Sequence, residues 1–395
     1  MRSNGTRVIA SAALAYLGDG IRHVALPLFA ASITREPVAL SVLTAVSYLP
    51  WILLGLPIGV YVDRNRPERV AVAANAGRAL LMGLLCVTIL AGDRSLILLY
   101  VVVFLLGVGE AAYDNAAQSL LPRVVDDAAL ERANGTLAAA ERTGLDLAGP
   151  ALGGLMFATS AALPFGLNTA VLLLGAVLIA PLRTPPPAAT GQLVRELFAE
   201  VSAGMRWLWR SGTVRTVILT GAGLTFFTQS WEPLLVLLAV GPMGLSNTAF
   251  GVLLAVGAVG GISGAAVTPL LIRRFDDRIL QILALAATSA SVLALAAFPV
   301  PAVTALAWGG TGFTFSLWNV LSVTMRQRLV PAELLGRVNS ASRTLSSTAV
   351  PLGALAGGAV AHAWGLRAPF WLSGAAVAIL AVAFAVRTVR RPVAV

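Results

Sequence analysis

The sequence predicts an all-α membrane protein, twelve transmembrane helices in two pseudo-symmetric six-helix bundles, and three observations carry that expectation. First, 57% of the 395 residues are hydrophobic and 12% are charged, with a mean hydropathy of +0.84, whereas a soluble domain is about a quarter charged. Second, the apolar residues gather in blocks of about twenty, the length that crosses a hydrocarbon core roughly 30 Å thick. Third, the two halves echo one another at an offset of about 205 residues: Arg123 to Asn134 (RVVDDAALERAN) aligns with Arg328 to Asn339 (RLVPAELLGRVN), and Leu26, Pro27 and Leu28 echo Glu232, Pro233 and Leu234. Shared polar residues set this repeat apart from mere similarity of apolar composition.

Hydropathy places the spans at 7–34, 38–62, 69–92, 95–120, 134–160, 162–181, 213–240, 247–272, 278–298, 301–325, 339–364 and 368–388. Only Arg2 and Arg7 precede the first block, which is longer than a signal-peptide core and has no small-residue cleavage pattern, so it reads as an uncleaved helix. The fourth span carries a polar stripe at helical spacing, Gly107, Glu110, Asp114 and Gln118. The polar stretch 182–212 opens on Pro185, Pro186 and Pro187, a stiff extended start. It continues with Leu193, Leu197, Val201, Met205 and Leu208 at helical spacing among Arg195, Arg206 and Arg210, as expected for a helix in the membrane interface. The expected organisation is therefore a six-helix bundle over 1–182, a linker with an amphipathic helix over 183–212 and a second bundle over 213–395.

Charge placement orients the chain. All 28 basic residues are arginine, and 21 of them fall in the amino-terminal segment, the even-numbered loops and the tail. The odd-numbered loops hold only Arg35, Arg94 and Arg367, so both termini are expected on the cytoplasmic side. With no lysine there is no phosphate-binding loop of the GxxxxGK[ST] type and no ATP motor. Arginines dispersed at the ends of apolar blocks do not form a nucleic-acid face. Cys86, His23 and His362 compose no metal cluster, and no nucleophile with base and orienter is apparent, so no cofactor, no metal and no enzymatic activity are expected.

Ionisable groups at membrane depth cost at least about 2.5 to 3.5 kcal/mol each on insertion scales and mark function. Asp19, Arg22, Glu110, Asp114, Glu141, Arg142, Asp146, Glu232 and Arg343 lie in or near spans. Asp19 and Arg22 share a helical face, with His23 beside them. Asp19 is either a proton carrier tuned by Arg22 or half of a structural ion pair. Glu110, deeper than Asp114, is the better proton-site candidate of the fourth span, and Asp114 is placed to pair with Arg64 or Arg69. Arg142 and Asp146 are spaced for a structural pair. Glu232, beside Trp231, Phe226, Phe227 and Gln229, suits an amphipathic cation through charge and cation–π attraction, and Trp318 and Asn319 of span ten are placed for the opposing wall.

The second span ends Gly55, Leu56, Pro57, Ile58, Gly59, Val60, Tyr61, Val62, Asp63, Arg64, Asn65, Arg66, Pro67, Glu68, Arg69. This resembles the GxxxDRxxRR signature between helices 2 and 3 of the major facilitator superfamily. Pro67 and Glu68 stand where that family has basic residues, with Arg66 and Arg69 nearby. The resemblance implies a conformational latch of Gly59, Asp63, Arg64, Arg66 and Arg69 with Asp114. Gly149, Pro150, Gly153 and Gly154 resemble the GPxxGG motif of the superfamily's antiporters. Gly18, Asp19 and Gly20 with Ala25 to Leu28, Gly109 and Glu110 with Asp114 to Gln118, Trp318 to Val320, Arg326 to Pro331 and Leu335 to Ser340 together resemble the enterobactin-exporter and macrolide-efflux branch. What this implies is a monomer in the bacterial inner membrane that exports amphipathic small molecules (drugs, macrolides or siderophores) by proton antiport and alternating access, with helices 1, 4, 7 and 10 lining the cavity. An importer or uniporter on the same fold, or a non-transporting sensor or scaffold, are the alternatives.

Overall fold

The computed structural model describes residues 3–184 and 194–389, and among them every regular element is helical. Pro185, Pro186, Pro187 and Leu193 lie outside the described residues, as do the side chains of Arg195, Leu197 and Val201. The first half runs α1 (Ser3–Ile33), α2 (Pro37–Arg64), α3 (Pro67–Leu90), α4 (Leu96–Val124), α5 (Asp127–Glu141), a π-helical turn (Arg142–Ala148), α6 (Gly149–Thr159) and α7 (Leu163–Ile179). The connecting helix α8 (Val194–Arg210) precedes α9 (Gly212–Gln229), a 3₁₀ turn (Glu232–Leu234), α10 (Leu235–Val240), α11 (Asn247–Ile272), α12 (Asp277–Ala297), α13 (Pro301–Leu329), α14 (Ala332–Trp364) and α15 (Ala368–Val389). Local chemistry sets several ends. Pro67 and Pro301 sit in the first turns of α3 and α13, where a missing N–H is harmless, and the Ser95 hydroxyl caps α4 by accepting from the Leu98 N–H at 3.2 Å. Arg367 closes the end of α12 by donating to the Ala296 and Ala297 carbonyls.

Each expected span coincides with a helix or with a helix pair broken by a single turn. Eight stretches among the described residues are long and apolar enough by themselves to cross a membrane. The four other expected spans, α1, α5 with α6, α7 and α13, fall short for visible reasons: α1 carries Asp19 and Arg22, α5 and α6 are separated by the π turn, α7 has 17 residues, and α13 mixes Thr, Gly, Ser and Asn among its apolar residues. Helices α5 and α14 begin at 127 and 332, whereas hydropathy starts those spans at 134 and 339, because the repeated polar segments continue as helix past the apolar block.

The π turn was not expected from sequence. Pro150 lacks an N–H and its ring clashes with the carbonyl four residues back, that of Asp146, and the Gly149 N–H instead donates to the Gly144 carbonyl five residues back. The widened turn lies where α1 passes closest. A Cβ on Gly149 would stand 2.6 Å from the Gly20 Cα, and one on Gly153 2.6 Å from the Ile21 carbonyl oxygen.

The chain clusters into two compact units that are not continuous in sequence. One holds Met1–Arg35, Val46–Val194 and Ser246–Ala255, the other Glu36–Ala45, Arg195–Leu245 and Val256–Val395. In the first, Leu99, Val102 and Leu106 of α4 and Met82 and Leu85 of α3 are buried. Outward-pointing Leu80 and Ile97 are exposed, an apolar exterior that suits lipid rather than water. In the second, Val217, Leu224, Leu285, Trp318, Leu321 and Phe384 share a core, and Leu306 and Ile379 are likewise exposed. Leu208 of α8 is buried with Val214, Ile218, Val330 and Val338, which docks the connecting helix on the second unit.

Candidate functional site

The first unit encloses an ionic cluster built by three helices. Asp19 and Arg22 lie one turn apart on α1, Arg78 comes from α3 and Glu110 from α4. Asp19, Arg22 and Arg78 are 5%, 4% and 1% exposed. The Arg22 guanidinium bridges two carboxylates, donating to Asp19 Oδ1 at 3.1 Å and to Glu110 Oε2 at 2.5 Å. Arg78 of α3 donates to the same Asp19 oxygen. Asp19 is thus clamped between two arginines, and Glu110 depends on one. The Nε atoms of both arginines and Nη1 of Arg78 have no hydrogen-bond partner among the described residues. Gly109 lets Arg78 lie flat on α4, since a Cβ there would stand 2.6 Å from the arginine's Cγ.

Neutral groups brace the cluster. Ser11 Oγ lies 3.0 Å from the Tyr113 hydroxyl and donates to the Gly175 carbonyl at 2.9 Å. Asn168 donates to the Gly18 carbonyl at 2.8 Å, tying α7 to α1 one residue before Asp19. Removing one partner of a buried, hydrogen-bonded charge pair costs about 3 to 5 kcal/mol, so the members are mutually dependent.

Asp114 sits one turn beyond Glu110 on α4 and is half-buried. The charges around it are those of Glu110, Arg78, Asp19 and Glu141. The expected ion pair with Arg64 or Arg69 is absent among the described residues, so the structure does not support that latch contact. Asp63, Arg64 and Arg69 are exposed, Arg66 is half-buried, and a Cβ on Gly59 would stand 3.9 Å from Asn115 Oδ1 of α4. Arg142 and Asp146 do pair, at 3.3 Å and in the open. His23, the residue after Arg22, is exposed, with Arg22, Glu110 and Asp19 among the charges around it.

In the second unit Glu232 lies in the 3₁₀ turn, where Pro233 interrupts the span, and accepts from Gln229 Nε2 at 2.6 Å. Phe226 and Phe227 stand edge to face at 5.2 Å nearby. Two of the aromatic candidates pack within their own unit. Trp231 is 1% exposed, packed on Trp308 at 5.6 Å and Phe370 at 5.4 Å. Trp318 is 4% exposed, edge-on to Phe384 at 5.4 Å within the unit's own core. Both indoles are engaged in packing, because the large apolar ring is the better space filler. Asn319, the next residue, is exposed. Gly149, Pro150, Gly153 and Gly154 shape the helix facing α1, and Gly154 meets Asn247 and Gly251 at backbone distance within the first unit.

Sequence reading missed Arg78 as a site residue. The signal was an arginine deep in the third span, 59 residues from the Asp19 it neutralises, with no local partner to draw attention to it. Among the described residues no group of three His, Cys, Asp or Glu side chains is placed to hold a metal ion.

Comparison with known proteins gives a consistent picture. The chain is 26% identical over 388 residues to the multidrug efflux pump Tap of Mycolicibacterium fortuitum, covering 92% of this chain and 90% of that protein. It is 23% identical to macrolide efflux protein A of Streptococcus pyogenes, covering 94% and 93%. Its fold matches that of a bacterial homologue of the iron transporter ferroportin in an inward-facing state, with a TM-score of 0.77 at 19% identity over 98% and 99% of the two chains. Residues 8–350 match the family model described as Major Facilitator Superfamily, and the chain belongs to that superfamily of multi-pass membrane transporters.

Proposed function

We propose that this transporter exports amphipathic small molecules, of the drug, macrolide or siderophore kind, in exchange for protons, working by alternating access in the bacterial inner membrane with both termini cytoplasmic. One observation carries the coupling: the two arginines Arg22 and Arg78 pair with Asp19 and Glu110, and a third carboxylate, the half-buried Asp114 one turn along α4 from Glu110, has no ion pair among the described residues. Two arginines balance Asp19 and Glu110. The third carboxylate, Asp114, is the group whose protonation makes the set neutral and whose release leaves it one charge negative. This moves the proton site from Glu110, favoured for its depth in the sequence, to Asp114, because Glu110 is already committed to Arg22 at 2.5 Å.

A charge that appears and disappears at the contact of α1, α3 and α4 is a local electrostatic change able to bias a two-state element. Gly20, Gly144 and Gly149 give α1 a backbone-to-backbone bearing beside that charge. Glu232, held by Gln229 near Phe226 and Phe227, supplies negative charge and ring faces for a cationic amphiphile in the second unit. Export rather than import rests on the efflux relatives and on the GPxxGG-like segment.

The test is transport by purified protein in liposomes under an imposed pH gradient, with a fluorescent hydrophobic cation and a macrolide as substrates. Wild type is expected to move substrate against its gradient. Asp114→Asn is expected to exchange substrate down its gradient without response to pH. Wild type that ignores the pH gradient for every substrate overturns the export reading, whereas Asp114→Asn with the full pH response overturns only the assignment of the proton.

A further inference from the structure

A groove on the first unit, whose floor reaches the cluster's Arg78, has the shape and charge of a lipid site. It has a volume of about 840 Å³ and runs along α3 between the end of α2 and α4, within the range of ligand-binding sites. Arg64, Arg66 and Arg69 line one end. Its floor is cut by small side chains, Ala73, Ala74 and Gly77, and a Cβ on Gly77 would meet nothing within 4 Å. Tyr61, Leu80 and Leu105 form exposed apolar walls.

An adjoining cleft of about 590 Å³ shares Arg66 and Arg69 and adds Arg183. None of these four arginines makes an ion pair among the described residues. Glu68, the acid of that cleft, accepts from the Thr184 hydroxyl at 2.6 Å and is buried. Asp63 does not line either space.

Dimensions decide the occupant. At a rise of about 1.5 Å per residue, Arg69 and Leu80 are separated by roughly 16 Å along α3, against about 15 Å for one leaflet's share of the hydrocarbon core. The cationic end therefore stands at headgroup level when the apolar walls lie along one acyl chain. A soluble anion would use the arginines and leave the groove empty. We propose that this groove holds an acidic phospholipid, its phosphate on Arg64, Arg66 and Arg69 and one acyl chain on the Ala73–Gly77 floor, as basic pockets between membrane helices do generally.

The experiment is native mass spectrometry of the intact purified protein titrated with phosphatidylglycerol, phosphatidylcholine and inorganic phosphate. Wild type is expected to retain phosphatidylglycerol at least tenfold more tightly than phosphatidylcholine. Replacing Arg64, Arg66 and Arg69 together by Gln should weaken phosphatidylglycerol by about fivefold per arginine, roughly 100-fold in all. Gly77→Leu, which fills the floor without touching a charge, should displace the lipid and leave the protein folded. Equal retention of the two lipids, competition by free phosphate at millimolar concentration, or undiminished phosphatidylglycerol binding in either variant would overturn the proposal.

Discussion

Burial makes the Asp19, Arg22, Arg78 and Glu110 set interdependent in a way that the exposed Arg142 and Asp146 pair is not. Arg78 is 1% exposed, and its loss leaves Asp19 leaning on Arg22 alone. Arg78→Gln should therefore lower stability by about 3 to 5 kcal/mol. Arg142→Gln removes a pair whose arginine side chain is 64% exposed and should cost between about 0 and 1 kcal/mol. Melting of the detergent-solubilised protein compares them, and equal shifts for the two variants would contradict the buried cluster. The Asp19 and Arg22 contact was legible because three residues on one helix predict a shared face. Arg78 was not, because a pairing between α1 and α3 leaves no trace in local spacing. Trp231 and Trp318 lie beside polar neighbours in sequence, which leaves recognition and packing both open, and only the packing of distant helices decides whether such a ring faces a cavity or a core.

Among elements, the contact of α1 with the segment around the π turn is the most demanding. Gly20, Gly149 and Gly153 bring backbones together with no room for a Cβ, the nearest atoms to a Cβ on Gly153 being those of Ile21. Gly149→Val should destabilise the fold by about 1 to 3 kcal/mol through overpacking and lower the yield of monodisperse protein. Gly336→Val on α14, where a Cβ meets nothing within 4 Å, should behave as wild type in the same chromatographic assay. Helix positions were readable from apolar block length alone. Their polar extensions at 127 and 332 were not, since hydropathy cannot see a helix that continues past the lipid. Neither was the π turn, whose cause in Pro150 is local but whose fit depends on α1.

Across the whole molecule, the two halves repeat in topology but not in charge. An offset of 206, that between Pro27 and Pro233, puts Thr225, Thr228 and Ala284 at the positions of Asp19, Arg22 and Arg78. The second unit's buried polar contacts are neutral, such as Thr288 with Thr314 at 2.7 Å and Ser230 with Ser373 at 2.6 Å. The ionic network therefore belongs to one unit. The orientation expected from arginine bias is testable in a Cys86→Ser background: Asp93→Cys should react with an impermeant maleimide on intact cells, and Asp127→Cys only after the membrane is opened. The reverse pattern would turn the molecule over. The amino-acid sequence alone determined the number and order of spans, the repeat and the family, because crossing a hydrocarbon core imposes a length and an apolarity on each segment independently of its neighbours. Tertiary structure alone decided which buried charges meet and what the aromatic rings pack against, because those depend on helices far apart in the chain arriving side by side.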